Sequence, residues 1–194
     1  MKRRWTDEQL ISTFTLSPEE RGHLTGMVSH NQLGFAVLLK FFQSEGRFPQ
    51  NPSEVPPLVV EYLAKQLSVS PQMYSHYQWD GRTINHHREG IRQLLGFCPY
   101  TAADWQPLME WLCETVLPGM TDPEAAEEIV KNHLRAVRIE PPSPSQISRL
   151  VHSAQNTSET HLFFTVSQQL PPATQEALDA LLHAREALPE KRNV

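Results

Sequence analysis

The sequence predicts an all-α fold: a multi-helical region of two helical modules joined by a proline-rich linker. Three observations carry this. Apolar residues recur at helical spacing along the chain and nowhere keep up a convincing alternation. Ser, Thr or Asp repeatedly stands just before an apolar run, often with Glu or Gln three residues on. Half of the sixteen prolines adjoin Ser, Glu or Asn, so they mark helix starts and stops rather than low complexity. At 194 residues and 39% hydrophobic content, the chain can bury one sizeable core, or a core plus a small satellite module.

In order, Thr6-Asp7-Glu8-Gln9 matches a capping box ahead of Leu10, Ile11 and Phe14. Ser17-Pro18-Glu19-Glu20 repeats the device with proline at the first helical position. Between His30 and Gly46, Leu33, Phe35, Ala36, Val37, Leu38, Leu39, Phe41 and Phe42 are apolar almost all round, which predicts the central core helix. His30, Asn31 and Gln32 stand at its start, where capping is the favoured role and where free amides can also hold a phosphate. A proline-punctuated loop over 47–57 leads to a helix through Leu58, Val59, Tyr62, Leu63 and Leu67. Ser70-Pro71 starts a short helix ending near Tyr77-Gln78-Trp79, whose aromatics are expected to pack.

A helix of roughly three turns follows, with Gly81 breaking the preceding chain, Thr83 as its expected cap and Gly96 as its left-handed end. Thr101 to Asp104 opens a helix through Trp105, Leu108, Met109, Leu112 and Val116, closed by Pro118-Gly119. Thr121-Asp122-Pro123-Glu124 opens the next, through Ile129, Leu134 and Val137. The best linker is Glu140-Pro141-Pro142-Ser143-Pro144, since consecutive prolines cannot continue a helix. This predicts an N-terminal domain over 1–139, a linker over 140–145 and a second module over 146–194. That module is read as a short helix from Ser145 to His152, then helices from Leu162 to Leu170 and from Ala173 to Leu188.

The net charge of −5 argues against coating nucleic acid by bulk electrostatics. Its distribution is uneven: residues 1–100 carry +1 and residues 101–194 carry −6. Any phosphate-binding face is therefore local and belongs in the first half. No apolar run is long enough for a bilayer span, and Met1-Lys2-Arg3-Arg4 leads into Trp5 and acidic residues rather than a signal peptide, so a cytoplasmic protein is expected. Cys98 and Cys113 offer neither metal spacing nor a disulfide framework. No phosphate-cradling glycine loop, HExxH or GxSxG is present, and adjacent His86 and His87 diverge on a helix, so no catalytic residue, metal site or cofactor is predicted. Glu124, Glu127 and Glu128 suit a helix N-terminus for stability alone.

The most informative stretch is 80–96. Ile84, Ile91, Leu94 and Leu95 fall on one side of the predicted helix; Asn85, Glu89 and Arg92 recur on another, with Arg82 and His86 beside them. Arginine forks, an amide and imidazoles are what a helix needs to touch phosphates and purine edges in a DNA major groove. A solvated face of an ordinary core helix fits the same spacing.

Blocks of residues in order resemble the N-terminal region of Tn-three-family transposases. They are Arg4-Trp5-Thr6 with Thr15-Leu16-Ser17; Asn31-x-Leu33-Gly34-Phe35-Ala36 with Leu39-Lys40-Phe41-Phe42 and Gly46-Arg47-Phe48-Pro49; Glu54-Val55-Pro56; and Tyr77-x-Trp79-x-Gly81-Arg82-Thr83 with His87-Arg88, Ile91-Arg92 and Leu95-Gly96-Phe97. Ile139-Glu140-Pro141-Pro142-Ser143 and Arg149-Leu150-Val151 continue them, so the set covers nearly the whole chain. The resemblance implies helical, helix-turn-helix-like modules that bind the terminal inverted repeats of a replicative transposon as duplex DNA. It also implies that strand transfer belongs to a metal-dependent acidic triad in a later RNase-H-like domain, outside this chain, and that self-association would run through the rest of the transposase. The chain would then be part of a bacterial protein, nucleoid-associated when bound to DNA.

The expected DNA contacts fall into four groups. Lys2, Arg3 and Arg4 at the terminus are expected on phosphates or in the minor groove. Asn31 and Gln32 lie at the start of the core helix. Arg82, Thr83, Asn85, His86, His87 and Arg92 lie on the Arg82 to Arg92 helix, with Arg88 nearer its apolar side, where a phosphate or a buried acid is the expected partner. Ser145 and Arg149 follow the linker. The alternative is a helical protein-interaction or dimerisation module, resting on the acidic second half and the apolar stripes of its last helices.

Overall fold

In the computed structural model, which describes residues 5–120 and 122–186, both capping boxes form and open the first two helices. Thr6 and Gln9 exchange backbone-to-side-chain bonds at 3.3 Å to start α1 (Asp7–Phe14), and Ser17 and Glu20 do the same at 3.1 and 2.7 Å to start α2 (Pro18–Gly22). Every described regular element is helical, as predicted. The one extended pairing among the described residues is an isolated parallel bridge between Cys98 and Ile139.

The chain divides into two compact units. The first comprises residues up to Ala102 together with Ile129–Pro144. Its centre is α3 (Ser29–Glu45), buried continuously from Leu33 to Phe42. Each large apolar side chain fully buried here contributes about 1.5–3 kcal/mol. α4 (Pro57–Leu67) packs on α1 and α3 through Val59, Val60 and Leu63, and α5 (Arg82–Leu95) packs on α3. Lys40 is drawn into this core because Glu20 meets it at 2.8 Å, with Gln43 adding a hydrogen bond at 2.7 Å. Burial raises the Glu20 carboxyl, but bonds from Lys40, the Ser17 N–H and Gln43 outweigh it and leave the group below its ordinary value.

Three expectations, two about helix ends and one about burial, are corrected. Thr83 does not cap α5; the N-cap is Gly81, at φ 81° without a side-chain bond, and Thr83 falls inside the helix. His30, Asn31 and Gln32 do not cap α3, which begins after Val28 with no side-chain cap; the Gln32 amide instead donates to the Leu24 carbonyl. Leu58 and Val137, assigned to apolar stripes, are 44% and 50% exposed.

The second unit comprises Ala103–Glu128 and residues from Ser145 on. It contains α6 (Trp105–Trp111), which runs into a π turn over Leu112–Val116, and most of α8 (Pro144–Gln169). The division falls inside α7 (Pro123–Ala136). Thr121, the expected cap of α7, lies outside the described residues; Asp122 accepts from the Glu124 N–H at 3.0 Å. Leu108, Leu112, Val116, Ala126, Ile147, Leu150, Val151 and Ala154 form the buried face of this unit. The two helices expected over 145–170 are one continuous helix, in whose polar middle Thr157, Thr160 and Thr165 donate to the carbonyls four residues earlier, so their hydroxyls are satisfied within the helix. α9 (Pro172–Glu186) follows, and the expected end at Leu188 lies outside the described residues. Among the described residues no helix is long and apolar enough to cross a membrane.

Candidate nucleic-acid interface

α5 is closed at its C-terminal end. Gly96 ends it at φ 69°, with Phe97 N–H on the Arg92 carbonyl at 2.8 Å and Gly96 N–H on the Gln93 carbonyl at 3.3 Å. Its inner face is Ile84, His87 and Ile91, at 2%, 5% and 0% exposure. His87 is the polar member of that face, and its surroundings explain why it is tolerated. Its Nδ1 lies 2.8 Å from the Tyr77 hydroxyl, its ring stacks on Tyr77 with 5.6 Å between centroids, and Phe35 meets it edge-on at 5.3 Å. Tyr77 in turn covers Gly34, where an added Cβ would lie 2.1 Å from the Tyr77 ring. Burial, helped by the neighbouring His86 charge, pushes the His87 imidazole down to about 4, and burial raises the Tyr77 phenol above its ordinary value. At neutral pH both are uncharged.

One flank of α5 is also occupied. The Arg88 guanidinium donates to the Pro49 carbonyl at 3.0 Å and lies over the Phe48 ring at 5.5 Å. Arg92 pairs with Glu140 at 2.9 Å and lies 5.9 Å from the same ring. Glu140 is held in place because its N–H donates to the Cys98 carbonyl at 2.8 Å and Pro141 beside it is buried. Burial raises the Glu140 carboxyl, and the Arg92 hydrogen bond and charge counter this in part. Burial lowers Arg88 from its usual value, with Glu140 and Tyr77 opposing.

The remaining face is exposed: Arg82, Asn85, His86, Glu89 and Gln93 recur at helical spacing on a rigid support. Of the predicted contacts on this helix, Arg82, Asn85 and His86 are brought together facing solvent, Thr83 is half-buried beside them, and His87, Arg88 and Arg92 are engaged within the fold. Asn31 and Gln32 are half-buried at the start of α3. Ser145 and Arg149 are exposed on α8 in the second unit, with the Arg149 guanidinium over Trp105 at 5.6 Å. Lys2, Arg3 and Arg4 lie outside the described residues. Residues that organise the site but were not singled out for it in the sequence are Phe48, Tyr77 and Glu140; the pairing of Glu140 with Arg92 spans 48 positions and leaves no local signal. Among the described residues, no three His, Cys, Asp or Glu side chains come together to hold a metal.

One all-helical unit holds an amphipathic helix, α5, against its core and leaves a stripe of hydrogen-bonding side chains on that helix open. The chain belongs to the family described as "Domain of unknown function (DUF4158)", which matches residues 1–154. It is similar to the transposase for transposon Tn1546 of Enterococcus faecium, with 28% identity over 152 residues, or 78% of this chain and 15% of the relative. It is also similar to the transposase for transposon Tn501 of Pseudomonas aeruginosa, with 28% identity over 78% of this chain and 15% of the relative. A third is the transposase for transposon Tn3926 of Escherichia coli, with 25% identity over 80% and 16%. The chain thus spans about 15% of the length of the curated relatives it matches. These relatives are of the Tn-three family, the family that the ordered residue blocks resemble.

Proposed function

We propose that this chain is a DNA-recognition region of a transposase, binding duplex DNA of the transposon's terminal inverted repeats and supporting transposition. The observation that carries the reading is the exposed Arg82, Asn85 and His86 stripe on a helix whose other contacts are already made. Arginine pairs bidentately with guanine O6 and N7, and asparagine with adenine N6 and N7, each worth about 1–3 kcal/mol of discrimination. All three sit in the first half of α5, and recognition helices of the helix-turn-helix type present base contacts from their N-terminal residues. Arg88 and Arg92 then act as struts of the platform. Lys2, Arg3 and Arg4 add sequence-independent affinity through phosphates, and Ser145 and Arg149, in the module expected after Pro144, make further contacts. Strand cleavage and joining reside outside this chain. Footprinting of the purified chain on duplexes carrying the inverted repeats tests this. Protection confined to the repeats, without nicking in magnesium, is expected; equal binding to unrelated duplexes contradicts it.

A second reading, a helical interaction module, has its own observation: Leu162, Phe163, Phe164 and Val166 on α8 are 46–70% exposed, in a half of the chain with net charge −6. Under that reading the chain associates with protein and is not retained on duplex DNA at any salt concentration.

A further inference from the structure

Glu89 lies in the middle of the open face of α5, four residues after Asn85 and four before Gln93. It is exposed, and among the described residues nothing neutralises it: Arg88 is committed to Pro49 and Phe48, and Arg92 to Glu140. A carboxylate at the centre of a surface that approaches DNA is repelled by phosphates, so it is tolerated only where it meets a hydrogen-bond donor. In the major groove the donors are the exocyclic amino groups of cytosine and adenine. Adenine places the N7 acceptor beside its amino group on the same base, which a carboxylate cannot satisfy, whereas on its own ring the cytosine N4 amino group has only a C–H beside it.

We infer that Glu89 is a specificity-determining contact that accepts a hydrogen bond from a cytosine N4 amino group in the bound duplex. The inference rests on α5 being the helix that enters the groove. At 1.5 Å per residue, Glu89 stands about 6 Å along the helix from Asn85, so its cytosine falls within about two base pairs of the base that Asn85 meets. Glu89 also disfavours binding out of register, because any misplacement brings its charge toward a phosphate.

The test is selection from a pool of duplexes with a randomised core, using the full chain with Glu89 intact, Glu89→Ala and Glu89→Gln. Circular dichroism confirms that the exposed substitutions leave the fold unchanged. With Glu89 present, one position should prefer cytosine about tenfold or more. Both variants should lose the preference at that position, keep the rest of the pattern, and bind unrelated duplexes more tightly. An unchanged preference pattern in Glu89→Ala overturns the inference while leaving α5 as the recognition helix. If the unaltered chain selects no sequence, the reading of α5 fails, and this inference with it.

Discussion

The Tyr77 hydroxyl and the His87 Nδ1 lie 2.8 Å apart with their rings stacked, so the inner face of α5 is closed by a neutral polar pair rather than by an aliphatic contact. Burial of the His87 imidazole makes α5 sensitive to acid. The His87 imidazole is held at about 4 in the fold against 6.5 for a free histidine. Between those values the unfolded chain binds the proton and the folded chain does not. The contribution is therefore fully present above about pH 6.5, is lost as pH falls toward 4, and changes by at most about 1.4 kcal/mol per pH unit. Denaturation midpoints over this window should fall more steeply for the unaltered chain than for His87→Gln. Parallel curves would show that His87 carries its proton in the fold.

Gly34→Ala is expected to destabilise by about 1–3 kcal/mol, because the new methyl meets the Tyr77 ring at 2.1 Å and the ring is held by His87 and Trp79. A denaturant titration that moves by under about 0.5 kcal/mol would show that the ring can step aside.

Phe41, at 1% exposure in the core of α3, should cost about 3–5 kcal/mol when cut to alanine. A loss well under about 1 kcal/mol in equilibrium unfolding would place the ring outside the core.

Arg92→Ala should act on stability. Its partner Glu140 would be left partly buried and unpaired, at a cost of about 1–3 kcal/mol, and Arg92→Ala with Glu140→Gln should cost less than the two single losses added. A double-mutant cycle in thermal unfolding measures this. Additive losses would mean that the pair contributes nothing.

Local signals were legible in the sequence. The Thr6–Gln9 and Ser17–Glu20 boxes close within three residues, and the left-handed turn at Gly96 needs no side chain, so each could be read in place. The apolar run from Leu33 to Phe42 identified the core helix for the same reason. Misreadings occurred where a distant partner decides. Helical spacing puts Arg92 beside Asn85 and Glu89, but Glu140, 48 residues on, pulls it into the fold; His87 reads as a surface imidazole until Tyr77 covers it. The polar stretch between Ala154 and Leu162 reads as a break, yet α8 continues through it, with the Thr157 and Thr160 hydroxyls bonded to carbonyls of the same helix. The open stripe of Arg82, Asn85 and His86 was visible in the sequence; which arginines remain in it was not.

The central claim is that this stripe discriminates among DNA sequences. The direct measurement is the ratio of affinities for inverted-repeat and unrelated duplexes at fixed salt, for the unaltered chain and for Arg82→Ala and Asn85→Ala, with folding verified by circular dichroism. Each substitution should reduce the ratio by about fivefold or more while changing binding to unrelated duplexes much less. Ratios unchanged in both variants, with the fold intact, would contradict the assignment of α5 as the recognition helix.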